Sequence, residues 1–416
     1  MGAFSIFNSK KKEKKQDAGV YYRRLSFTFA LLKFGSLILA LATVLYGFSF
    51  RTDEINADNF RYLLSFLGEG ETETVSYNTI YFDNNESNRF ALVRGDLAVV
   101  SNSGVAVYGL SGVRRSVDTS FKMDSPEVLY SAKYMYIYDI GGTELVIKST
   151  LETMETKKYD FPLRGATAAK NGFFAVISEK KTSRSTVFVY DDSFREVYNC
   201  SYGNLYTLSV DLDEEAKQLA TASVESVNGE FVTSLYVYSL ASSEPLVKQS
   251  ITGEYPYRVS FSKEGGVVLL TDKACRFYDE KGEEKAVLEF GAEGISRYSM
   301  GDTYFLRQYP LSALSAATRL EAYRLSDGKR VFVKDYEQGL RLAKTEGEYL
   351  FTSFGNELVV TRPEEGDERT VTAEEEVTEL LPIDEEKIVL LTDGTGNVLD
   401  YKGLFETKGE SSEWEQ

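Results

Sequence analysis

The sequence predicts an all-β chain: a β-propeller of seven or eight blades, eight preferred, preceded by one transmembrane helix and a short amphipathic helix. Three observations lead there. The chain holds 28 Tyr, 26 Phe and 32 Gly against only 7 Pro, a balance that favours half-buried pleated strands joined by many turns. An apolar strand ending on an aromatic residue recurs every 40 to 50 residues or so, roughly the length of a four-stranded propeller blade. Near the N-terminus one apolar run is about as long as a bilayer is thick.

Residues 1–24 form a basic tail, in which Lys10, Lys11, Lys12, Lys14, Lys15, Arg23 and Arg24 outnumber Glu13 and Asp17. Residues 25–50 follow, LSFTFALLKFGSLILALATVLYGFSF, with Lys33 as their only charge. About 20 apolar residues span a bilayer, and a lysine near one end can snorkel to the interface. A cleaved signal peptide would have a core of about 7–15 residues and a small-x-small cleavage site. This run ends instead in Tyr46, Phe48 and Phe50, so it reads as an uncleaved signal anchor. Lys- and Arg-rich flanks stay cytoplasmic. The N-terminus is therefore expected inside and the bulk of the chain outside the cell membrane. Ile6 stands where N-myristoylation needs Ser or Thr. In 51–75, Ile55, Phe60, Leu63, Leu64 and Leu67 fall at helical spacing, with Thr52 or Asp53 to cap and Gly68 to stop. This predicts a short amphipathic helix and then an acidic linker.

From residue 76 onward the pattern is alternating strands punctuated by turns. The recurring strand is VAVY at Tyr108, VFVY at Tyr190, LYVY at Tyr238, CRFY at Tyr278, LEAY at Tyr323 and NVLDY at Tyr401. Weaker copies end near Lys148 and Val360. Eight marks predict eight blades, or seven if the terminal units share one. SYNTIYFD, 76–83, is the expected closing strand, since ring closure removes exposed sheet edges. The segments DLAVVS, GFFAVIS, QLATAS, GVVLLT, TYFLRQ, EYLFTS and KIVLLT are read as the inner strands on the channel side. No composition break divides 76–408, so this is one expected domain, followed by a polar tail at 409–416.

The 416 residues include no His. This excludes Ser-His-Asp and Cys-His nucleophile systems and imidazole metal sites. Cys200 and Cys275 form no CxxC motif and read as two small buried hydrophobes, with one disulfide in an oxidising compartment as the alternative. With 64 Asp and Glu against 47 Lys and Arg the net charge is −17. The basic tail lies on the other side of the membrane, so the exported part is more acidic still, which argues against nucleic acid as a partner. Neither a Walker A loop nor a GxGxxG element occurs. Asp211, Asp213, Glu214 and Glu215 crowd carboxylates together but lack an EF-hand's Gly and distal Glu, and read as a solvated turn. Asp393-Gly394 reads as a hairpin turn.

Blade signatures narrow the family. The tryptophan-aspartate repeat needs Gly-His and Trp-Asp pairs, and the only Trp is Trp414. Kelch repeats need recurring Gly-Gly; only Gly141-Gly142 and Gly265-Gly266 occur. The stretches LAVVSNSGVAVYGLSG, SPEVLYSAKYMYIYDIGGTELVI and NGFFAVISEKKTSRSTVFVYD resemble an uncharacterised family of Gram-positive bacterial single-pass membrane proteins with an extracytoplasmic, Tyr-rich propeller. The resemblance covers nearly the whole chain and implies a location and a fold but no substrate. Its most distinctive turn is Asp139-Ile140-Gly141-Gly142, where many relatives have Arg in place of Ile140.

The expected function is a non-catalytic binding or scaffolding module at the cell envelope, with no cofactor, metal or catalytic residue assigned. A carboxylate-driven hydrolase of envelope polysaccharide and a membrane-bound ligand sensor are the alternatives. The expected partners are the lipid bilayer, through 25–50, and an envelope protein or glycan. Candidate ligand contacts at turns near the channel mouth are Asp139, Arg164, Arg258, Arg297 and Arg307.

Overall fold

A computed structural model describes residues 79–312, 316–337 and 339–406, together with positions 26, 27, 29, 31–36, 38, 39 and 42, all of them helical. The chain divides into two compact units, Met1–Glu71 and Thr72–Gln416. Among the described residues no helix is long and apolar enough to cross a membrane. The remainder of the expected span at 25–50, the amphipathic helix at 51–75 and the tail at 409–416 lie outside the described residues.

The second unit consists of eight four-stranded antiparallel sheets, and seven of them are four consecutive strands. Strands a to d run outward from a central axis in each blade. The a strands are Arg89–Val93, Pro126–Tyr130, Gly165–Ala168, Tyr206–Leu212, Pro256–Phe261, Arg297–Met300, Leu342–Glu346 and Glu379–Pro382, in blades 1 to 8. The eighth blade is closed by the N-terminal strand: Ile80 pairs with Gly396 and Tyr81 with Thr395. Eight blades and closure within 76–83 match the sequence expectation. A short helix, α1 (Gly403–Glu406), follows the last strand.

One expectation is corrected. The apolar segments read as channel-side strands are b strands, one step out from the axis, as in Asp96–Ser101, Val267–Thr271 and Lys387–Leu391. The physical reason is burial. A b strand has strands on both edges and neighbouring blades on both faces, so it reads as a continuous apolar run, as strands covered on both faces do. An a strand has one edge open to the axis and admits polar side chains.

The b and c strands carry the core. Each junction between blades holds its own apolar cluster. At the junction of blades 2 and 3, Tyr136 lies 4.6 Å from Phe174, which stacks on Tyr190 at 4.8 Å, and the Tyr136 hydroxyl donates to the Gly172 carbonyl at 2.7 Å. The recurring aromatic mark has a structural meaning as well. Tyr108, Tyr190, Tyr238, Tyr278 and Tyr323 each sit where the register between strands c and d slips, and Lys148 holds the same place in blade 2. Such a bulge sharpens local twist. In blade 7, whose copy of the mark is weak, the c and d strands pair without a slip.

Candidate ligand site in the central channel

The ring of a strands is uneven. Asp211 ties together the a strands of blades 3, 4 and 5. Its carboxylate accepts from Thr167 Oγ1 at 3.1 Å, Ser260 Oγ at 3.1 Å and the Phe261 amide at 2.9 Å. Ser209 Oγ accepts the Val259 amide at 3.1 Å. Burial raises the Asp211 carboxyl, against the pull of these bonds and of nearby Arg258. Elsewhere round the axis the wall opens into a cavity of about 880 Å³, lined by the a strands of blades 5 to 8 and of blades 1 and 2. A second cavity of about 480 Å³ shares Val128, Tyr130, Arg258, Met300, Gly301 and Asp302 with it and reaches the turns that follow the a strands. The face where a strands begin is called the front here, and the face where they end the back.

Charge is graded along this channel. At the front, Arg258 of blade 5 and Arg341, one residue before the a strand of blade 7, flank Tyr298 of blade 6. Both arginines are exposed. Among the described residues neither guanidinium makes an ion pair, whereas Arg89 meets Glu127 at 3.3 Å. Deeper, the Lys344 ammonium touches the Glu379 carboxylate. Burial draws Lys344 down to about 8, partly offset by the negative charge of Glu346. Towards the back, the Glu346 carboxyl is raised by burial and then by Asp302, partly offset by Lys170 and Lys344. Asp213, Glu214 and Glu385 line the back cavity, with Lys170, Lys263 and Arg258 as the cations there. The front therefore carries two arginines without an ion pair among the described residues, beside the carboxylates Glu86 and Glu379, and the back is mainly acidic.

The five sequence candidates do not assemble into one site. Arg258 lines the channel. Asp139 ends the b strand of blade 2 and accepts the amides of Asp124 at 3.2 Å and Ser125 at 2.7 Å. The turn that follows it docks on the next blade: the Gly141 amide donates to the Leu163 carbonyl at 2.8 Å, with Gly141 at φ +83°. That φ is costly for any residue with a Cβ. Arg164 contacts Glu179 and lies 5.5 Å over the Tyr206 ring. Arg297 donates to the Leu340 carbonyl at 3.2 Å, joining blades 6 and 7. Arg307, expected on a turn, is 5% exposed in the middle of a b strand, Tyr304–Pro310. It donates to the carbonyls of Phe290 and Gly294, both at 2.6 Å, and stacks over Tyr309 at 4.3 Å.

The channel residues that sequence reasoning missed are Tyr298, Arg341, Lys344, Glu346 and Glu379. They lie on or next to RYSM, LAKTE and ELLP, strands of four or five residues with no alternation to mark them. The acidic segment DLDEE divides: Asp211 belongs to an a strand, while Glu215 is exposed and paired with Lys217. Asp393-Gly394 forms the hairpin turn between the b and c strands of blade 8. Cys200 and Cys275 are unpaired; Cys275 is buried and Cys200 half-buried. Burial pushes the Cys200 thiol up to about 11.

Residues 71–399 match the family of unknown function DUF5711, and the chain belongs to that family. No curated protein matches the chain. Among solved structures the fold is similar to Sqt1 of Saccharomyces cerevisiae, at 11% identity and a TM-score of 0.55, over 78% of this chain and 99% of that one. It is also similar to the C-terminal WD40 domain of Sif2, at 12% identity and a TM-score of 0.51, over 78% of this chain and 99% of that one. The likeness is one of fold alone, and it holds in a chain with no His and one Trp.

Proposed function

We propose that this member of the DUF5711 family is a single-pass membrane protein of a Gram-positive bacterium, whose propeller acts as a binding or scaffolding module outside the cytoplasmic membrane. The location rests on the apolar run at 25–50, the basic excess in 1–24 and the resemblance described above. The binding reading rests on one observation: a channel cavity of about 880 Å³ into whose front mouth Arg258 and Arg341 turn cationic groups that no described carboxylate pairs. Small-ligand sites commonly occupy about 300–1,000 Å³, and propellers place such groups on strand ends over a rigid scaffold. Two measurements test the reading. A reporter that is active only after export, fused after residue 78, should be active, and inactivity would overturn the orientation. Affinity capture from solubilised native membranes should retain an envelope component on the wild-type chain and lose it when Arg258 and Arg341 are both replaced by Ala.

A second reading, carboxylate-driven hydrolysis of an envelope polysaccharide, is favoured by Glu346. Its carboxyl is raised by burial and by Asp302, as suits a general acid beside an ionised partner. Glu346→Gln would abolish polysaccharide cleavage and leave capture intact. Absence of cleavage by the wild-type chain would remove this reading.

A further inference from the structure

We infer that the front mouth of the channel receives a carboxylate carried on a compact sugar ring, of the uronic-acid class, between Arg258 and Arg341 and against Tyr298. The inference rests on the binding reading above and adds the chemistry of the ligand.

Three adjoining blades supply the three groups, so the order round the mouth is guanidinium, phenol ring, guanidinium. All three line one cavity, and Tyr298 is 40% exposed. In a chain of net charge −17, cations left unpaired amid so many carboxylates mark a place where an anion from outside fits. Glu86 also lines this cavity, and among the described residues neither arginine forms an ion pair with it; two further carboxylates near the channel are engaged elsewhere. Asp211, which feels Arg258, already accepts three hydrogen bonds. Glu379 is in contact with Lys344.

A guanidinium binds a carboxylate through two parallel hydrogen bonds, and a pair of them can hold both oxygens from either side. Beyond the mouth, Glu346 and Asp302 repel further negative charge, as do Asp213 and Glu214 at the back. One singly charged group can therefore enter, and a phosphate dianion is disfavoured. The rest of the ligand stays at the mouth, where the open face of Tyr298 can cover the apolar face of a ring. The cavity volume suits a small ligand rather than a folded partner.

The test uses the full-length protein in detergent micelles, titrated by calorimetry with glucuronate and with a galacturonate trimer. Glucose and inorganic phosphate serve as controls, and a glutamate-rich peptide as a competitor. The uronates are expected to bind, with glucose and phosphate at least tenfold weaker. Arg258→Ala and Arg341→Ala should each weaken uronate binding by about ten- to a hundredfold, the range for a hydrogen bond to a charged group. Tyr298→Ala should weaken it several-fold and Tyr298→Phe hardly at all, and each variant should keep the wild-type melting temperature. Equal binding of phosphate and glucuronate would overturn the role of the ring. Uronate binding that survives both arginine substitutions would overturn the site. Binding of the peptide in place of uronates would overturn the ligand class and leave the binding reading standing. No binding of any probe, with capture of an envelope component untouched by the arginine substitutions, would overturn both.

Discussion

The b and c strands and the a strands of this propeller answer different demands. Tyr136 and Phe174, on b strands, are 0% and 1% exposed and are enclosed by neighbouring blades. Arg258, Tyr298 and Lys344, on or beside a strands, border open space. The strands that build the blades repeat from blade to blade, because every blade junction poses the same packing problem. The strands that line the channel do not repeat, because no common packing constraint acts on them. The two sets are adjacent in every sheet, yet one specifies the fold and the other, Asp211 apart, is free of that demand.

The sharpest way to break this comparison is at the core. Phe174→Ala removes a ring packed between Tyr136 and Tyr190, and should cost about 3–5 kcal/mol in chemical denaturation. A loss under about 1 kcal/mol would mean that the junction clusters do not hold the ring. Asp211 is the exception among the a strands, since it bonds three blades together. Asp211→Ala leaves the Thr167 and Ser260 hydroxyls and the Phe261 amide without their acceptor, and should cost about 2–3 kcal/mol. A cost near zero would place Asp211 with the ligand-facing residues instead.

Two pH predictions follow from groups in the blade framework. Tyr238 and Tyr278 are each 6% exposed, and burial pushes both hydroxyls up to about 12. An unfolded chain loses these protons near pH 10. The stabilisation is therefore complete below about pH 10 and is lost as pH rises through about 12; tyrosinate absorbance and circular dichroism should change together. On the acid side, Asp118 of blade 1 accepts from Lys148 of blade 2 at 2.5 Å. Burial works to raise this carboxyl, but the Lys148 bond, with help from Ser120, holds it well below the usual range. Its contribution is present above about pH 4 and lost as pH falls further. Lys148→Met should flatten the acid limb of the stability profile, measured as melting temperature against pH.

The smallest effect is expected at the channel mouth. Arg258→Ala should change stability by no more than about 0.5 kcal/mol, as for surface positions outside hydrogen-bond networks. A larger loss would show that Arg258 belongs to the framework.

The same division decides what could be read from the sequence. Blade number is legible because Tyr108, Tyr190, Tyr238, Tyr278, Tyr323 and Tyr401 recur, and five of these mark a bulge at the same place in their blades. Lys148 fills that place with a salt bridge instead of a ring, so its blade gave a weak mark. The assignment of inner strands failed because the longest apolar runs mark the most buried strands, and those are not the innermost. Arg297 and Arg307 drew attention as arginines near expected turns, but each spends its guanidinium on backbone carbonyls. Tyr298, Arg341 and Lys344 were invisible because residues on different blades converge only when the ring closes.

The most direct test of the separation between fold and ligand strands is one doubly substituted chain, Arg258→Ala with Arg341→Ala, compared with wild type for melting temperature and for capture of envelope components from solubilised membranes. An unchanged melting temperature and a loss of capture are expected. Retained capture, or a melting temperature lowered as much as by Phe174→Ala, would contradict that separation.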